Sequence, residues 1–156
     1  VVLGDRGLEG GNGDTQAMST EYGFRTIIPA PYAQAIPTVV DALKAEGFGV
    51  LTEIDVQATM KKKLDVDVQP YIILGACNPK LAYRGLQAER ELGLLLPCNV
   101  IVYDNGDETS TVSVVDPLQM LGVVGNPALQ SIAEEADSRL RRVIAALSVP
   151  VVALPA

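Results

Sequence analysis

The sequence predicts an α+β fold in which an antiparallel or mixed sheet carries helices packed on one face. Strand and helix patterns follow one another in the order β-α-β-(α)-β-α-β-β-α, which is the β-α-β-β-β-β-α type when the helices between the second and fourth strands are not counted. Asn105-Gly106 separates two β-rich runs, which is a strong hairpin signal. Residues 129–147 carry an unbroken apolar stripe at helical spacing. The β-α-β unit in the first half leaves a mixed sheet as the alternative to an antiparallel one.

Composition divides the chain into three parts. Residues 1–17 are rich in glycine and acidic residues and lack a hydrophobic pattern, so they cannot bury enough surface to offset the entropy of ordering. We expect them to be a disordered or vector-derived extension, because Met18 reads as a natural start. Residues 18–148 form the predicted domain, and residues 149–156 form an apolar C-terminal tail.

The domain begins with a predicted strand over residues 23–29 and a helix over residues 32–46. Apolar residues recur along this helix at intervals of three and four. Pro37 lies near its first turn, where a missing N–H is tolerated, and Gly47 is a natural C-terminal stop. A second strand covers residues 48–54.

The next elements surround the third strand. Asp55 can cap a short helix over residues 56–64, and residues 66–68 alternate as in an extended segment. The third strand covers residues 70–77, and its continuous apolar run predicts burial on both faces. A helix then starts at Asn78-Pro79, a capping residue followed by proline at the first helical position.

That helix is predicted to run to Leu92 and to end at Gly93. Strands over residues 97–103 and 108–115 form the hairpin, and the second of them alternates apolar and hydroxylated residues, so one face of it should be wet. A short helix then opens at Asp116-Pro117, ahead of the long last helix that starts at Asn126-Pro127.

Charge and cysteine content exclude several classes of protein. The net charge is −7 and the isoelectric point is near 4.5, which disfavours a nucleic-acid-binding protein. The longest apolar run is far shorter than the roughly 20 residues that span a bilayer, and no signal peptide is evident. Two cysteines without an export signal predict free thiols in a reducing compartment. We therefore expect a soluble, cytoplasmic protein that binds neither nucleic acid nor membrane.

Four segments resemble the DUF302 family of small bacterial and archaeal domains. They are LKAEGFGVLTEID at residues 43–55, KL at 63–64, YIILGACNP at 71–79 and LLPCNV at 95–100. The resemblance extends over residues 22–147. It implies a TATA-binding-protein-like α+β fold and frequent homodimers. It implies no reaction, because the family name denotes a domain of unknown function.

Cys77 and Cys98 are the first candidates for chemistry. Cys77 ends a predicted strand just before a helix N-terminus, which can lower the pKa of a thiol. Cys98 begins the strand after that helix, so both thiols should lie near one end of the sheet if the two strands are neighbours. Two cysteines are too few for a structural zinc site, although they can hold a soft ion such as Cu(I). The simplest interpretation is that both are small buried hydrophobic residues.

Asn78, Asp55 and Lys63 complete the candidate set. Asn78 is most simply a helix cap, and its side chain is alternatively placed to orient a ligand. Asp55 and Lys63 lie about two turns apart if their segment is helical, so they form a cap with a solvated lysine, an anion site in a pocket or a catalytic acid–base pair. Glu53 and Asp55 alternate along a strand and share a face. No histidine is present, which removes Ser-His-Asp catalysis.

The sequence therefore predicts a homodimeric small-ligand-binding or regulatory module, with no cofactor and without a robust catalysed reaction. The expected pocket lies between the sheet and the helices, near residues 77–79 and Cys98. The alternative is a thiol-based redox or metal- and metalloid-handling protein that uses Cys77 and Cys98. A third hypothesis is an interaction module in which residues 149–155 of the apolar tail dock on a partner.

Overall fold

The computed structural model describes residues 18–148, and these residues build one antiparallel sheet with helices on one of its faces. The strands are β1 (Met18–Ser19), β2 (Gly23–Ile28), β3 (Gly49–Asp55), β4 (Tyr71–Cys77), β5 (Cys98–Asp104) and β6 (Ser110–Val115). The α-helices are α1 (Tyr32–Ala45), α2 (Val56–Leu64), α3 (Pro79–Ala88), α4 (Pro117–Gly122) and α5 (Gln130–Ser148). Short 3₁₀ helices cover Arg90–Leu95 and Pro127–Leu129. The predicted extension and tail lie outside the described residues.

The strand order is β1-β2-β6-β5-β4-β3, and every neighbouring pair is antiparallel. The α+β class is confirmed, and of the two sheet types predicted the antiparallel one is present. The strands of the β-α-β unit, β2 and β3, are not neighbours. In the strand order β2 and β3 are separated by β6, β5 and β4, so the connection through α1 does not create a parallel pair.

One face of the sheet carries the main hydrophobic core. Alternate residues of the central strands are fully buried on this face, where they pack against α1 and α5. They include Phe24, Leu74, Val100, Val102, Val112 and Val114. The other face, called here the open face, carries the intervening residues, which are mostly half-buried or exposed. The two faces therefore differ sharply in burial.

A second hydrophobic cluster lies beside the sheet, among the helices that follow β4 and β6. Its buried members are Leu81, Leu92, Leu121, Leu129, Ile132, Ala133 and Ala136. Helix α5 joins the two clusters, because its first half packs here and its second half packs on the sheet. None of the helices within residues 18–148 combines the length and apolar character needed to cross a bilayer.

Several predicted boundaries are wrong in detail. The helix expected to reach Leu92 ends at Ala88, because Glu89 adopts an extended backbone and a 3₁₀ helix follows. Residues 66–68 form no strand. Strand β4 is fully buried only at alternate positions in its first half, since the open face leaves Tyr71 and Ile73 half-buried. Pro37 is the sixth residue of α1, near the first turn but already inside the helix.

Candidate functional site

Cys77 and Cys98 lie at the same end of the sheet, as expected for neighbouring strands. Cys98 is directly opposite Ala76 in the β4–β5 ladder, and directly opposed residues share a face. Cys98 and Ala76 are both buried on the helix-bearing face. Cys77 is the next residue along β4 and pairs with Gly49, so its side chain lies on the open face and is half-buried.

Neither thiol is activated. Burial raises the pKa of Cys77 above its usual value of 9.0. Burial also raises the pKa of Cys98, to about 11, and the nearby Cys77 adds a smaller contribution in the same direction. The expected lowering by the helix N-terminus is therefore outweighed by the loss of water around the sulfur. Both groups are thiols, not thiolates, at neutral pH.

Asn78 is the N-cap of α3. Its Oδ1 accepts a hydrogen bond from the backbone N–H of Leu81 at 3.2 Å, and Pro79 occupies the first helical position. The residue as a whole is only 9% exposed. Its Nδ2 lies 3.0 Å from the point that a Cβ on Gly47 would occupy, and Gly47 has a φ of +84°. The capping role of Asn78 is thus supported by geometry, and glycine at position 47 leaves room for the amide.

A small apolar cavity lies beside Cys98, and we call it the Cys98 cavity. Its volume is about 40 Å³, which has room for only a few non-hydrogen atoms. It is lined by Phe48, Ala76, Cys77, Asn78, Leu81, Ala82, Leu92, Leu96, Pro97, Cys98, Pro117, Met120, Leu121, Ile132 and Ala136. Hydrocarbon dominates this lining, and Asn78 is its one amide. The cavity can therefore accept an uncharged apolar group.

Sequence reasoning identified Cys77, Asn78 and Cys98 for this region and missed the residues from α4 and α5. Met120, Ile132 and Ala136 each follow a clear helical pattern, which indicates burial but not the neighbour against which a residue packs. No local signal connects them with Cys98. Only the packing of α4 and α5 against the end of the sheet brings them there.

Asp55 and Lys63 lie away from this site. Strand β3 pairs its first residue with Cys77 and its last, Asp55, with Ile72 at the other end of the sheet. The Asp55 carboxylate caps α2 by accepting from the Ala58 N–H at 2.9 Å. Lys63 forms no ion pair within residues 18–148. The structure therefore does not bring the Asp55 and Lys63 side chains into a salt bridge.

The described part of the chain contains no group of three or more His, Cys, Asp or Glu side chains placed to hold a metal ion. The lysines of residues 61–63 are exposed, and Lys61 forms ion pairs with Asp65 at 2.9 Å and Asp67 at 3.3 Å. This basic cluster is thus a solvated helix end.

Comparisons with known proteins agree with this architecture. A crystal structure of an uncharacterized conserved DUF302 protein from Bacillus stearothermophilus superimposes with a TM-score of 0.74 and 28% sequence identity, and the match covers 83% of this chain and 100% of that chain. No curated protein matches the chain significantly. The sequence model of the domain of unknown function DUF302 matches residues 24–147, so the chain belongs to the DUF302 family.

Proposed function

We propose that this DUF302 domain is a small-ligand-binding module, and that its ligand is an uncharged or largely apolar molecule held in the Cys98 cavity. The observation that carries the proposal is the cavity itself, an unfilled apolar space at one end of the sheet. Ligand sites in proteins are typically mostly apolar, with few polar groups that set orientation. Asn78 and the Cys98 thiol are the polar groups available here.

The alternative, a thiol-based redox or metalloid-handling protein, needs a reactive thiolate. The raised pKa values of Cys77 and Cys98 argue against it. Site-resolved alkylation with iodoacetamide between pH 5 and 9 separates the two functions. Protection of both thiols until the protein unfolds favours ligand binding, whereas rapid alkylation of either below pH 7 favours the alternative.

The domain is also proposed to act as a homodimer through the open face. The strand register aligns a cross-strand row on this face, formed by Ile54, Ile73, Ile101, Ser113 and Arg25. Contiguous apolar surface of this kind often marks an interface. The Nε of Arg25 is buried and has no hydrogen-bond partner within residues 18–148, so an acceptor from a second copy would satisfy it. We also propose a cytoplasmic location for the domain, because its cysteines are free thiols.

Propan-1-ol, which has only four non-hydrogen atoms, is the probe that tests ligand binding in the small Cys98 cavity. The chain has three methionines, and among them Met120 alone lines the Cys98 cavity, while Met18 is in β1 and Met60 is in α2. We expect propan-1-ol to shift the ¹³C-methyl resonance of Met120 saturably and to leave the other two methionine resonances unchanged. Absence of a saturable Met120 shift would overturn the proposal.

A pair of alanine variants on α5 controls for nonspecific effects. Ala136 lines the Cys98 cavity, whereas the equally buried Ala133 lines a different one. Ala136→Val fills the site and is expected to abolish the Met120 shift, and Ala133→Val is expected to retain it. Unfolding temperatures of both variants verify that each is folded at the temperature of the titration. A shift that survives in folded Ala136→Val would exclude the Cys98 cavity as the binding site.

A further inference from the structure

A second, larger space adjoins the Cys98 cavity. It is an open groove of about 530 Å³ lined by Glu21, Tyr22, Leu95, Val115, Gln119, Met120 and Val123. We call it the Met120 groove, because Met120 lines both spaces. The volume of the groove alone is within the range of roughly 300–1,000 Å³ that is typical of small-molecule sites.

Met120 therefore lies beside both the smaller Cys98 cavity and the larger, more open Met120 groove. The side chain is half-buried, and an unbranched thioether with three rotatable bonds can change rotamer at little cost. A change of rotamer at this position would join the two spaces. The joined site would be elongated, with the Cys98 thiol at its inner end and solvent at its outer end.

The outer end has a defined chemistry. Glu21 is the only carboxylate in the groove lining, it is exposed, and it forms no ion pair within the described residues. Next to it Tyr22 exposes 75% of its surface. A carboxylate beside an accessible aromatic ring is a combination that attracts organic cations. The net charge of −7 also attracts cations over a longer range.

The segment that carries these two residues is fixed against α4. The N–H of Asp116, the N-cap of α4, donates to the Tyr22 carbonyl at 2.8 Å. The N–H and Oγ1 of Thr20 both bond to the Gly23 carbonyl, at 2.7 and 3.0 Å, and close the turn that presents Glu21 and Tyr22. Glu21 and Tyr22 are thus held beside the N-terminus of α4, the helix that carries Met120.

We infer that the Met120 groove and the Cys98 cavity together bind an amphiphilic organic cation. Its alkyl chain lies along Leu95, Val115 and Val123 and passes Met120 into the cavity, and its ammonium group stays at the mouth between Glu21 and Tyr22. This inference rests on the proposed function, because the inner end of the ligand occupies the Cys98 cavity. It adds the shape and the charge of the ligand.

Three probes with the same six-carbon chain test the charge: hexyltrimethylammonium, hexan-1-ol and hexanoate. The Met120 methyl shift provides the affinity of each. Because a single exposed charge pair contributes little, we expect the cation to bind roughly two- to fivefold more tightly than the alcohol, and hexanoate more weakly than both. Added salt should reduce the preference for the cation.

Glu21→Gln is expected to remove the preference for the cation and to leave the affinity for hexan-1-ol unchanged. Glu53→Gln, at an exposed carboxylate on β3, is the matched control and should keep the preference. Equal affinities of cation and alcohol in the wild-type protein would overturn the inference while the proposed function stands. If no probe shifts Met120, the proposed function fails as well.

Intermolecular nuclear Overhauser effects test the orientation directly. The N-methyl groups of hexyltrimethylammonium are expected to contact the Tyr22 ring, and the terminal methyl of its chain is expected to contact the Ala136 methyl in the cavity. Contacts in the reverse order would overturn the inference, and so would contacts confined to the groove.

Discussion

Cys77 and Cys98 lie at the same end of neighbouring strands but on opposite faces of the sheet. The cause is the register of β4 and β5, which places Cys98 opposite Ala76 and so leaves Cys77 one residue out of phase. Cys98 is consequently buried beneath the helices, and Cys77 is half-buried on the open face. The two thiols are neighbours along the sheet without being a cross-strand pair.

This arrangement predicts that the folded protein does not form a Cys77–Cys98 disulfide. A disulfide requires Cβ atoms about 3.5–4.5 Å apart with converging Cα–Cβ vectors, and side chains on opposite faces diverge. Treatment with diamide should leave both thiols free, as measured by the mass of the peptides after digestion without reductant. The urea-unfolded chain is the control and should form the bond. A disulfide formed within the folded monomer would contradict the register.

The raised pKa of Cys98 predicts a loss of stability in alkali. The folded state holds the thiol proton more tightly than the unfolded chain, with a pKa of about 11 against 9.0. The buried Cys98 thiol therefore makes its full contribution to the free energy of unfolding below about pH 9, and this contribution is lost as pH rises towards about 11. A pKa difference of two units corresponds to at most about 3 kcal/mol. Urea unfolding across this window should show a smaller loss in Cys98→Ala than in the wild type.

Comparison with the variant also removes the contribution of tyrosine ionisation, which occurs in the same pH range. Tyr32 and Tyr71 both have raised pKa values because of burial, and both are present in the two proteins. If wild type and Cys98→Ala lose stability in parallel between about pH 9 and pH 11, the thiol is not responsible.

The space around Gly75 in β4 is too small for a larger side chain. A Cβ at this position would overlap the Thr52 side chain and would lie 2.7 Å from Cγ of Pro97. We expect Gly75→Ala to lower the free energy of unfolding by roughly 1–3 kcal/mol, which is usual for overpacking. Gly49→Ala is the control, because nothing lies within 4 Å of its Cβ position on β3. Equal effects of the two substitutions in urea unfolding would refute this explanation.

The Glu46–Arg142 pair predicts a small effect in acid. The Arg142 Nε donates to both carboxylate oxygens of Glu46 at 3.1 Å, and this hydrogen bonding lowers the pKa of Glu46 below 4.5. Its stabilisation is therefore present above pH 4.5 and lost as pH falls through the folded-state pKa. Glu46→Gln should cost about 0.2–1 kcal/mol at neutral pH and nothing at about pH 2.

Thermal unfolding at the two pH values measures this difference. Glu53→Gln is again the control, since Glu53 is exposed and forms no ion pair within residues 18–148. A Glu46→Gln penalty that is the same at both pH values would show that packing, not charge, is its cause.

The proposed homodimer predicts that a charge on the open face produces monomers. Ile101 is central in the cross-strand row, between Ile73 and Ser113, and a lysine there would be desolvated in a face-to-face dimer. Ile101→Lys should therefore shift the mass measured by light scattering from dimer to monomer. Leu86→Lys, on α3 away from the sheet face, is the control and should remain dimeric. A wild-type protein that is monomeric at all concentrations would exclude the homodimer.

Local elements were predictable because their signals are short-range. Asn78-Pro79 and Asp116-Pro117 mark helix starts that the structure confirms, with the capping hydrogen bonds in place. The end of α3 was not predictable, because Ala88 and Leu92 fit the same helical pattern. The helix breaks at Glu89, where the sequence has neither glycine nor proline as a stop signal. Leu92 instead packs beneath Gly85 in the second cluster, a tertiary contact.

The sequence by itself determined the class of fold, the order of its elements and the placement of both cysteines at strand ends. Periodicity and capping chemistry act over a few residues and can be read along the chain. Only the tertiary structure decided that three strands separate β2 from β3 in the sheet, that Cys77 and Cys98 point to opposite faces, and that Met120 adjoins Cys98. These relations depend on strand register and on helix packing between distant segments, and a one-residue change of register would reverse every face.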